Sequence, residues 1–381
     1  MNLIIKLILG IVVGIGLGLF APTWVVALLL TFKSLFGELL FFTIPLLILF
    51  FIASGIAGLP QQSTRLLGQT LAGAYASTIV AGLVAFGAAV VLVPMLTSAG
   101  GELANTEAAV ISPFIEMDIP PVMSIMTALA SAFVFGLGVA ATQAQTLKSF
   151  FDQGRDVIEQ LLVKVIIPLL PIYIAGVFAE LAAAGTVVET LQTFGVILAL
   201  SVSLHWLWIG VLYSAVAIRT QRSPLALIKQ MLPAYFTALG TMSSAATIPV
   251  TLKAVEANGV DPKIAGFTVP LCATTHLAGS TITIVACAVA VMVLQEGLVL
   301  PSLGAMLPFI LTLGVVMLAA PGVPGGAVMS AVGLLGSMLG FGETAVALMI
   351  ALYMAQDSFG TACNVTGDGA IALWVNASQK S

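Results

Sequence analysis

Within the apolar run 345–375 lies the segment DSFGTACNVTGDG, whose Asp357, Thr361, Asn364 and Asp368 fall at i, i+4, i+7 and i+11. At about 100° per residue these four side chains share an arc of roughly 60° on a helix. Two carboxylates on one stripe offer directional acceptors to an ammonium group and charged oxygen to a hard metal cation. The Asn364 amide can donate to a carboxylate in turn. A carboxylate in an apolar helix is expensive without a partner and marks function by default. Asp357 therefore reads as the group that meets a cationic ligand, with a structural cap facing a backbone amide as the alternative. Thr361 is the weaker case, since a hydroxyl often bonds back to its own helix.

Composition sets the elements that must hold this stripe. The chain has 381 residues, 60% hydrophobic and 7% charged, with a mean hydropathy of +1.16, against about 25% charged residues in a soluble domain. It is an integral membrane protein with the lipid bilayer as its partner. Apolar runs near the ~20 residues needed to span a bilayer recur at 3–20, 35–59, 66–96, 122–142, 163–184, 191–218, 264–295 and 345–375. Those runs predict eight transmembrane helices; a β-barrel would show short alternating segments instead. The first run lacks an A-x-A-like cleavage site and is expected to be the first span. Cys272, Cys287 and Cys363 all lie in apolar runs and read as packing residues.

Lys6, Arg65, Lys148, Arg155, Arg219, Arg222, Lys229, Lys253, Lys263 and Lys380 fall in some connections, while 98–118, 182–189 and 296–302 carry acids and no Lys or Arg. The positive-inside rule places the basic connections and both termini in the cytoplasm, as in a multi-pass protein of the inner (plasma) membrane. Basic residues this sparse give no footing for nucleic acid.

Two segments do not behave as simple spans. Between basic connections, 223–258 carries TMSSAATIPVT; between acidic ones, 301–343 carries LAAPGVPGGAVMS. Each needs an even number of crossings, which predicts two re-entrant helical hairpins entering from opposite faces. Gly, Pro and small polar residues at membrane depth are tolerated where they line a cavity or are buried in protein. The span after each hairpin carries a polar interruption, CATTHLAGST and the stripe from Asp357, so both are expected to be broken helices. Hairpin plus broken helix, twice, is the pattern of inverted repeats with a binding site near the midplane. The bland alternative is two ordinary kinked helices.

With these residues in hand, the chain resembles the dicarboxylate/amino acid:cation symporters, the glutamate transporter family. SSAATIPVT from Ser243 is similar to the serine-rich tip of that family's first hairpin, and PGVPGG from Pro321 to the tip of its second. FTVPLCATTHLAGST from Phe267 has the frame of its seventh helix, and the Asp357 stripe that of its eighth; IPLLILFFIASGIAGL from Ile44 and PIYIAGVFAELAA from Pro171 are weaker echoes. The resemblance implies an all-α homotrimer with an elevator fold. A scaffold, 1–64 and 98–188, would stay fixed while a transport unit, 65–97 and 189–381, slides across the membrane.

The resemblance also implies a site. Asp357 would receive the α-amino group of an amino acid substrate, and Asn364 with backbone N–H groups near Ser243 and Ser244 its α-carboxylate. Thr361, Ser280, Val323, Gly325 and Gly360 would complete the pocket. One sodium ion would sit on Asp368 with carbonyls of Cys272, His276 and Asn364, a second on carbonyls of Met317, Leu318 and Ala320 with Thr274. A doubtful third site would use Tyr75 and Thr78.

Two departures matter. Where acidic-substrate members carry an arginine, this chain has Gly360, and neither Met242 nor any nearby Lys or Arg supplies a fork for a side-chain carboxylate. A buried carboxylate left unpaired costs several kcal/mol, so a neutral amino acid is expected. Second, HLAGS from His276 stands where the family has Asn-Met-Asp-Gly-Thr, so Ala278 removes the charge at the third site and fewer coupled sodium ions are expected. His276 reads as a neutral core histidine or as a group that takes up a proton, H+ replacing one cation. His205, in HWLW, reads as structural or interfacial.

Other classes stay open at this point: an acidic-substrate or exchange transporter, and an anion-conducting channel. An intramembrane enzyme would need a nucleophile with its base or a metal cluster, and no HExxH or GxSxG pattern is present.

Overall fold

A chain this apolar must satisfy its backbone polar groups within each segment at membrane depth. The computed structural model describes residues 3–58, 64–97, 111–295, 297–318 and 320–380, and these form helices and short connections with no strand among them. In chain order the first six helices are α1 (Leu3–Phe20), α2 (Thr23–Ala57), α3 (Thr64–Thr97), α4 (Ile125–Thr142), α5 (Gln145–Leu161) and α6 (Ile167–Ala183). Then follow α7 (Val187–Thr220), α8 (Pro224–Thr241), α9 (Ser244–Ala257), α10 (Pro262–Thr275), α11 (Ala278–Leu294), α12 (Leu303–Met317), α13 (Gly326–Leu339) and α14 (Glu343–Lys380). Among the described residues seven helical runs are long and apolar enough to cross a membrane, and α1, α12 and α13 are apolar but shorter. Most of the connection expected at 98–118 lies outside the described residues.

Both hairpins are present. α8 and α9 pack together across a link of only Met242 and Ser243, with Met242 in the left-handed region at φ 53. α12 and α13 pack together across a longer link in which Pro321 and Pro324 stop helix growth. The run after the first hairpin is broken between α10 and α11 at His276 and Leu277, as expected.

The structure corrects three boundaries. α14 is a single helix from Glu343 to Lys380 with no break at the polar stripe, because its polar side chains find partners on other elements and leave its own backbone ladder intact. α2 begins at Thr23, well before the apolar run at 35, because Lys33 is drawn into the helix packing by Glu180, with Nζ 2.8 Å from Oε2. The span expected at 163–184 continues backwards through a π-helical turn, Leu162–Ile166, into the amphipathic α5, which buries Phe151 and Ile158.

Burial separates centre from periphery. The α10–α11 run and α14 are buried over most of their length, whereas most of α4 is not. α14 is wrapped by α7, α8, α9, α10 and α11, and α11 packs on α3 as well. α1, α2, α4, α5 and α6 pack chiefly among themselves.

α1 docks on α6 through a ridge invisible to hydropathy. A Cβ at Gly10, Gly14 or Gly18 would stand 2.4, 2.3 or 2.3 Å from the carbonyl oxygens of Pro171, Ala175 and Ala179. Small residues at i, i+4 and i+8 let two backbones approach where no hydrophobic force operates between helices. Gly14→Leu is therefore expected to cost on the order of 2 kcal/mol and lower the thermal midpoint of the detergent-solubilised protein. Gly16→Leu, at a position with open space around it, is the control that should leave the midpoint in place.

Candidate functional site

The stripe on α14 reaches three backbone interruptions in the elements around it. Asp357 Oδ2 accepts the N–H of Gly325 at 2.7 Å, at the start of α13. Gly325 holds φ 75, where a Cβ would also meet Met354 Sδ at 2.8 Å, so glycine is required. A carboxylate at a helix N-terminus is favoured by the exposed N–H groups and the helix dipole. Asp357 is 3% exposed; Thr361 Oγ1 lies 3.5 Å from its Oδ1, and the Tyr353 hydroxyl also faces the carboxylate. The cap anticipated as the alternative reading is thus made, and the carboxylate's other partners are two hydroxyls.

Asn364 caps α11, whose own N-cap residue Leu277 has no side chain able to do so. Asn364 Oδ1 accepts the N–H groups of Gly279 and Ser280 at 2.7 and 3.2 Å. Its Nδ2 donates to Ser280 Oγ at 2.9 Å, and Tyr353 OH donates to the same oxygen at 3.1 Å. The second Nδ2 hydrogen is left for another acceptor.

Asp368 reaches the break between α10 and α11. His276 has an extended backbone there, φ −110 and ψ 93, and its ring Nδ1 lies 2.9 Å from Asp368 Oδ1 with both residues fully buried. His276 Nε2 lies 2.9 Å from Ser77 Oγ on α3, which accepts from Trp208 Nε1 on α7 at 3.2 Å. An ionised carboxylate only accepts, so Nδ1 then carries the hydrogen toward Asp368. Gly367 makes room, since a Cβ there would sit 2.5 Å from His276 Cε1.

The remaining predicted residues fall in three places. Ser243 Oγ caps α9 by accepting from Ala246 N–H at 3.2 Å and donates to Gly322 O at 2.6 Å, so the two hairpin tips touch. Ser244 is buried as the first residue of α9, and Val323 belongs to the tip of the second hairpin, between Gly322 and Gly325. Thr274, Leu318 and Ala320 line a cavity of about 310 Å³ with Ala245, Pro321 and Gly322. Met317 is buried away from it, its carbonyl accepting from Ala320 N–H at 3.5 Å. Cys272 is buried, and its carbonyl accepts the His276 N–H at 2.8 Å. Tyr75 and Thr78 do not meet the His276 ring: Tyr75 OH donates to Leu311 O at 3.2 Å, and Thr78 Oγ1 bonds back to Ala74 O at 2.9 Å. Ser77, between them in sequence, takes that place.

Gly360 is pressed against α11. A Cβ there would lie 3.3 Å from Thr283 Oγ1 and 3.6 Å from the Gly279 carbonyl carbon. His205 Nε2 sits 3.1 Å from Thr283 Oγ1 and 3.0 Å from Gly279 O, a buried tie from α7 to α11. Arg155 on α5 lines the cavity at the hairpin tips, whose walls include none of Asp357, Gly360, Thr361 or Asn364. It pairs with Asp156 at 3.1 Å, and Glu159 stands on the same cavity wall. Its approach through α5 could not be read from a sequence in which α5 is the polar flank of a span. Tyr353 was legible in principle, one turn before Asp357 on the same face, whereas Ser77 and Trp208 carry no signal of their own.

Among the described residues no group of three or more His, Cys, Asp or Glu side chains is arranged to hold a metal ion. Buried carboxylates and an amide at helix ends, among described residues that form apolar helices, are the marks of a membrane protein. The chain belongs to the sodium:dicarboxylate symporter family, whose profile matches residues 3–378; this is a family of transporters and not of enzymes. It is 30% identical over 308 residues to the serine/threonine transporter SstT of Streptococcus suis (strain 05ZYH33), covering 74% of this chain and 81% of that protein. Excitatory amino acid transporter 1 is 29% identical over 249 residues in Homo sapiens, with 64% of this chain and 45% of that protein covered. The Ambystoma tigrinum protein of the same name is 32% identical over 242 residues, 61% and 43% covered. The chain thus spans less than half the length of these excitatory amino acid transporters.

The caps make a direct prediction. Asn364→Leu keeps the volume but strands two buried N–H groups at about 1–3 kcal/mol each, so it should lower the unfolding midpoint clearly more than Ser280→Ala, which removes one hydroxyl. Equal midpoints would show that Asn364 is not the cap of α11.

Proposed function

We propose that this chain is a secondary active transporter that carries a neutral amino acid across the plasma membrane with sodium. The observation that carries this reading is Asp357: a buried carboxylate that holds the tip of the second hairpin through the Gly325 N–H and otherwise faces only the hydroxyls of Thr361 and Tyr353, with no cation beside it among the described residues. An ammonium group that takes Oδ1 gains a charge-assisted bond, which is roughly twice as strong as a neutral one. Binding then leaves the Gly325 N–H in place, so a filled site favours a closed tip. The α-carboxylate is met by the second Asn364 hydrogen and the first N–H groups of α9 near Ser243 and Ser244.

Neutral selectivity follows from Gly360. No guanidinium projects from α14, and α11 with Thr283 closes on that position. Arg155 pairs with its neighbour Asp156. The relative named a serine/threonine transporter is consistent with this, whereas the relatives named excitatory amino acid transporters keep an acidic substrate as the alternative.

Sodium ions are read as cargo. The cavity shared by Thr274, Leu318 and Ala320 supports one ion on hydroxyl and carbonyl oxygens. An ion at Asp368 has to share that carboxylate with the His276 ring, and Ala278 leaves the third site without a charge, so fewer than three ions accompany the substrate. A protonated His276 in place of a cation is the second reading, favoured by its contact with Asp368. The packing of α1, α2, α4, α5 and α6 apart from α3 and α7–α14 supports the scaffold, 1–64 with 98–188, and the moving unit, 65–97 with 189–381. We place these in a homotrimer with eight spans, two re-entrant hairpins, cytoplasmic termini and elevator motion.

Uptake into proteoliposomes under an imposed sodium gradient tests the reading. Labelled serine, threonine or alanine should accumulate and then leak out when the gradient is collapsed, with aspartate a poor competitor. Inhibition by aspartate at lower concentration than by serine would overturn the neutral substrate, and accumulation indifferent to sodium would overturn the coupling.

A further inference from the structure

An apolar cleft on the flank of α3, α7 and α14 lies outside the site described above. It encloses about 250 Å³ and is lined from α3 by Gln69, Gly73, Ser77 and Val80, from α7 by Trp208 and Val216, and from α14 by Trp374. The residues on α3 recur at i, i+4, i+8 and i+11, so the cleft follows one face of that helix. From 69 to 80 it extends roughly 16 Å at 1.5 Å per residue, which is about half of the ~30 Å hydrocarbon thickness of a bilayer. Gln69, Val216 and Trp374 lie near the ends of their helices and Ser77 and Trp208 well inside, which points the first group toward the headgroups and the second toward the midplane.

The headgroup end carries positive charge. Arg219 Cζ stands 4.7 Å over the ring of Trp374, one turn beyond Ala215 on the cleft-lining face of α7. Arg65 lies one turn before Gln69 on the matching face of α3. Neither arginine is in an ion pair among the described residues. The midplane end is formed by Ser77 and Trp208, the outer members of the chain that ends on His276 and Asp368.

We propose that this cleft is a binding site for one anionic phospholipid, an acyl chain lying between α3, α7 and α14 and the phosphate on Arg219 and Arg65. An apolar slot one leaflet deep fits a hydrocarbon chain, and a guanidinium at its mouth matches a phosphate through parallel N–H donors. The chain end touches the residues that hold His276, so the lipid is positioned to steady them.

Two of the four tryptophans, Trp208 and Trp374, line the cleft, which supplies the readout. A Trp24→Phe/Trp206→Phe variant would be reconstituted in phosphatidylcholine vesicles with increasing fractions of phosphatidylglycerol or phosphatidylcholine brominated on the acyl chain. Half-maximal quenching is expected at roughly fivefold lower fraction of the anionic lipid. Arg219→Gln with Arg65→Gln should erase that preference, and Ala215→Phe, which fills the cleft, should weaken quenching by both lipids. Equal quenching by the two lipids before any arginine is changed, or a preference that survives the arginine replacements, would overturn the proposal.

Discussion

A helix that begins inside a membrane presents N–H groups that neither lipid nor its own turns can satisfy, and this constraint organises the centre of the molecule. α11 and α13 both begin there, and α14 answers them with Asn364 and Asp357. The last residue of its stripe, Asp368, holds the ring of His276 at the break that α11 starts from. Each unanswered group would cost several kcal/mol in hydrocarbon. The polar stripe is therefore structural first, and in the proposed transporter the same atoms would also meet the solute.

That overlap explains how binding can be tied to closure. The Asp357 carboxylate holds one hairpin tip while facing the hydroxyls of Thr361 and Tyr353, and Ser243 joins this tip to the other through Gly322. In the proposed transporter a solute entering between the tips would meet groups already oriented by the need to cap helices, so little side-chain ordering would be left to oppose binding. The same economy limits the ions. A carboxylate in contact with an imidazole is only half available to a cation, and His276 is fixed in turn by Ser77 and Trp208.

Much of this was legible in the sequence because the exceptions to apolarity are few. With 7% charged residues, a periodic polar stripe in a span stands out, as do two Gly-Pro or Ser-rich tips between connections of opposite character. The stripe proved to be an intact helix, because polarity in a span signals a need for partners and those partners turned out to lie on other helices. The start of α2 was hidden by Lys33, whose charge is answered by Glu180 far along the chain. The π-turn after Leu161, the glycine ridge of α1 and the placing of Arg155 are tertiary facts that no window of hydropathy contains. Ser77 shows the limit most clearly: Tyr75 and Thr78 bracket it, and only helix rotation decided which of the three faces His276.

The sharpest test separates the structural from the functional duty of Asp357. Asp357→Asn keeps an oxygen for the Gly325 N–H and removes the charge that an ammonium group requires. Calorimetric binding of the transported amino acid in saturating sodium should weaken by at least about 100-fold, as expected for a lost charge-assisted contact of about 3 kcal/mol, while the unfolding midpoint stays near that of the unaltered protein. An unchanged affinity would mean that the carboxylate is a cap and nothing more.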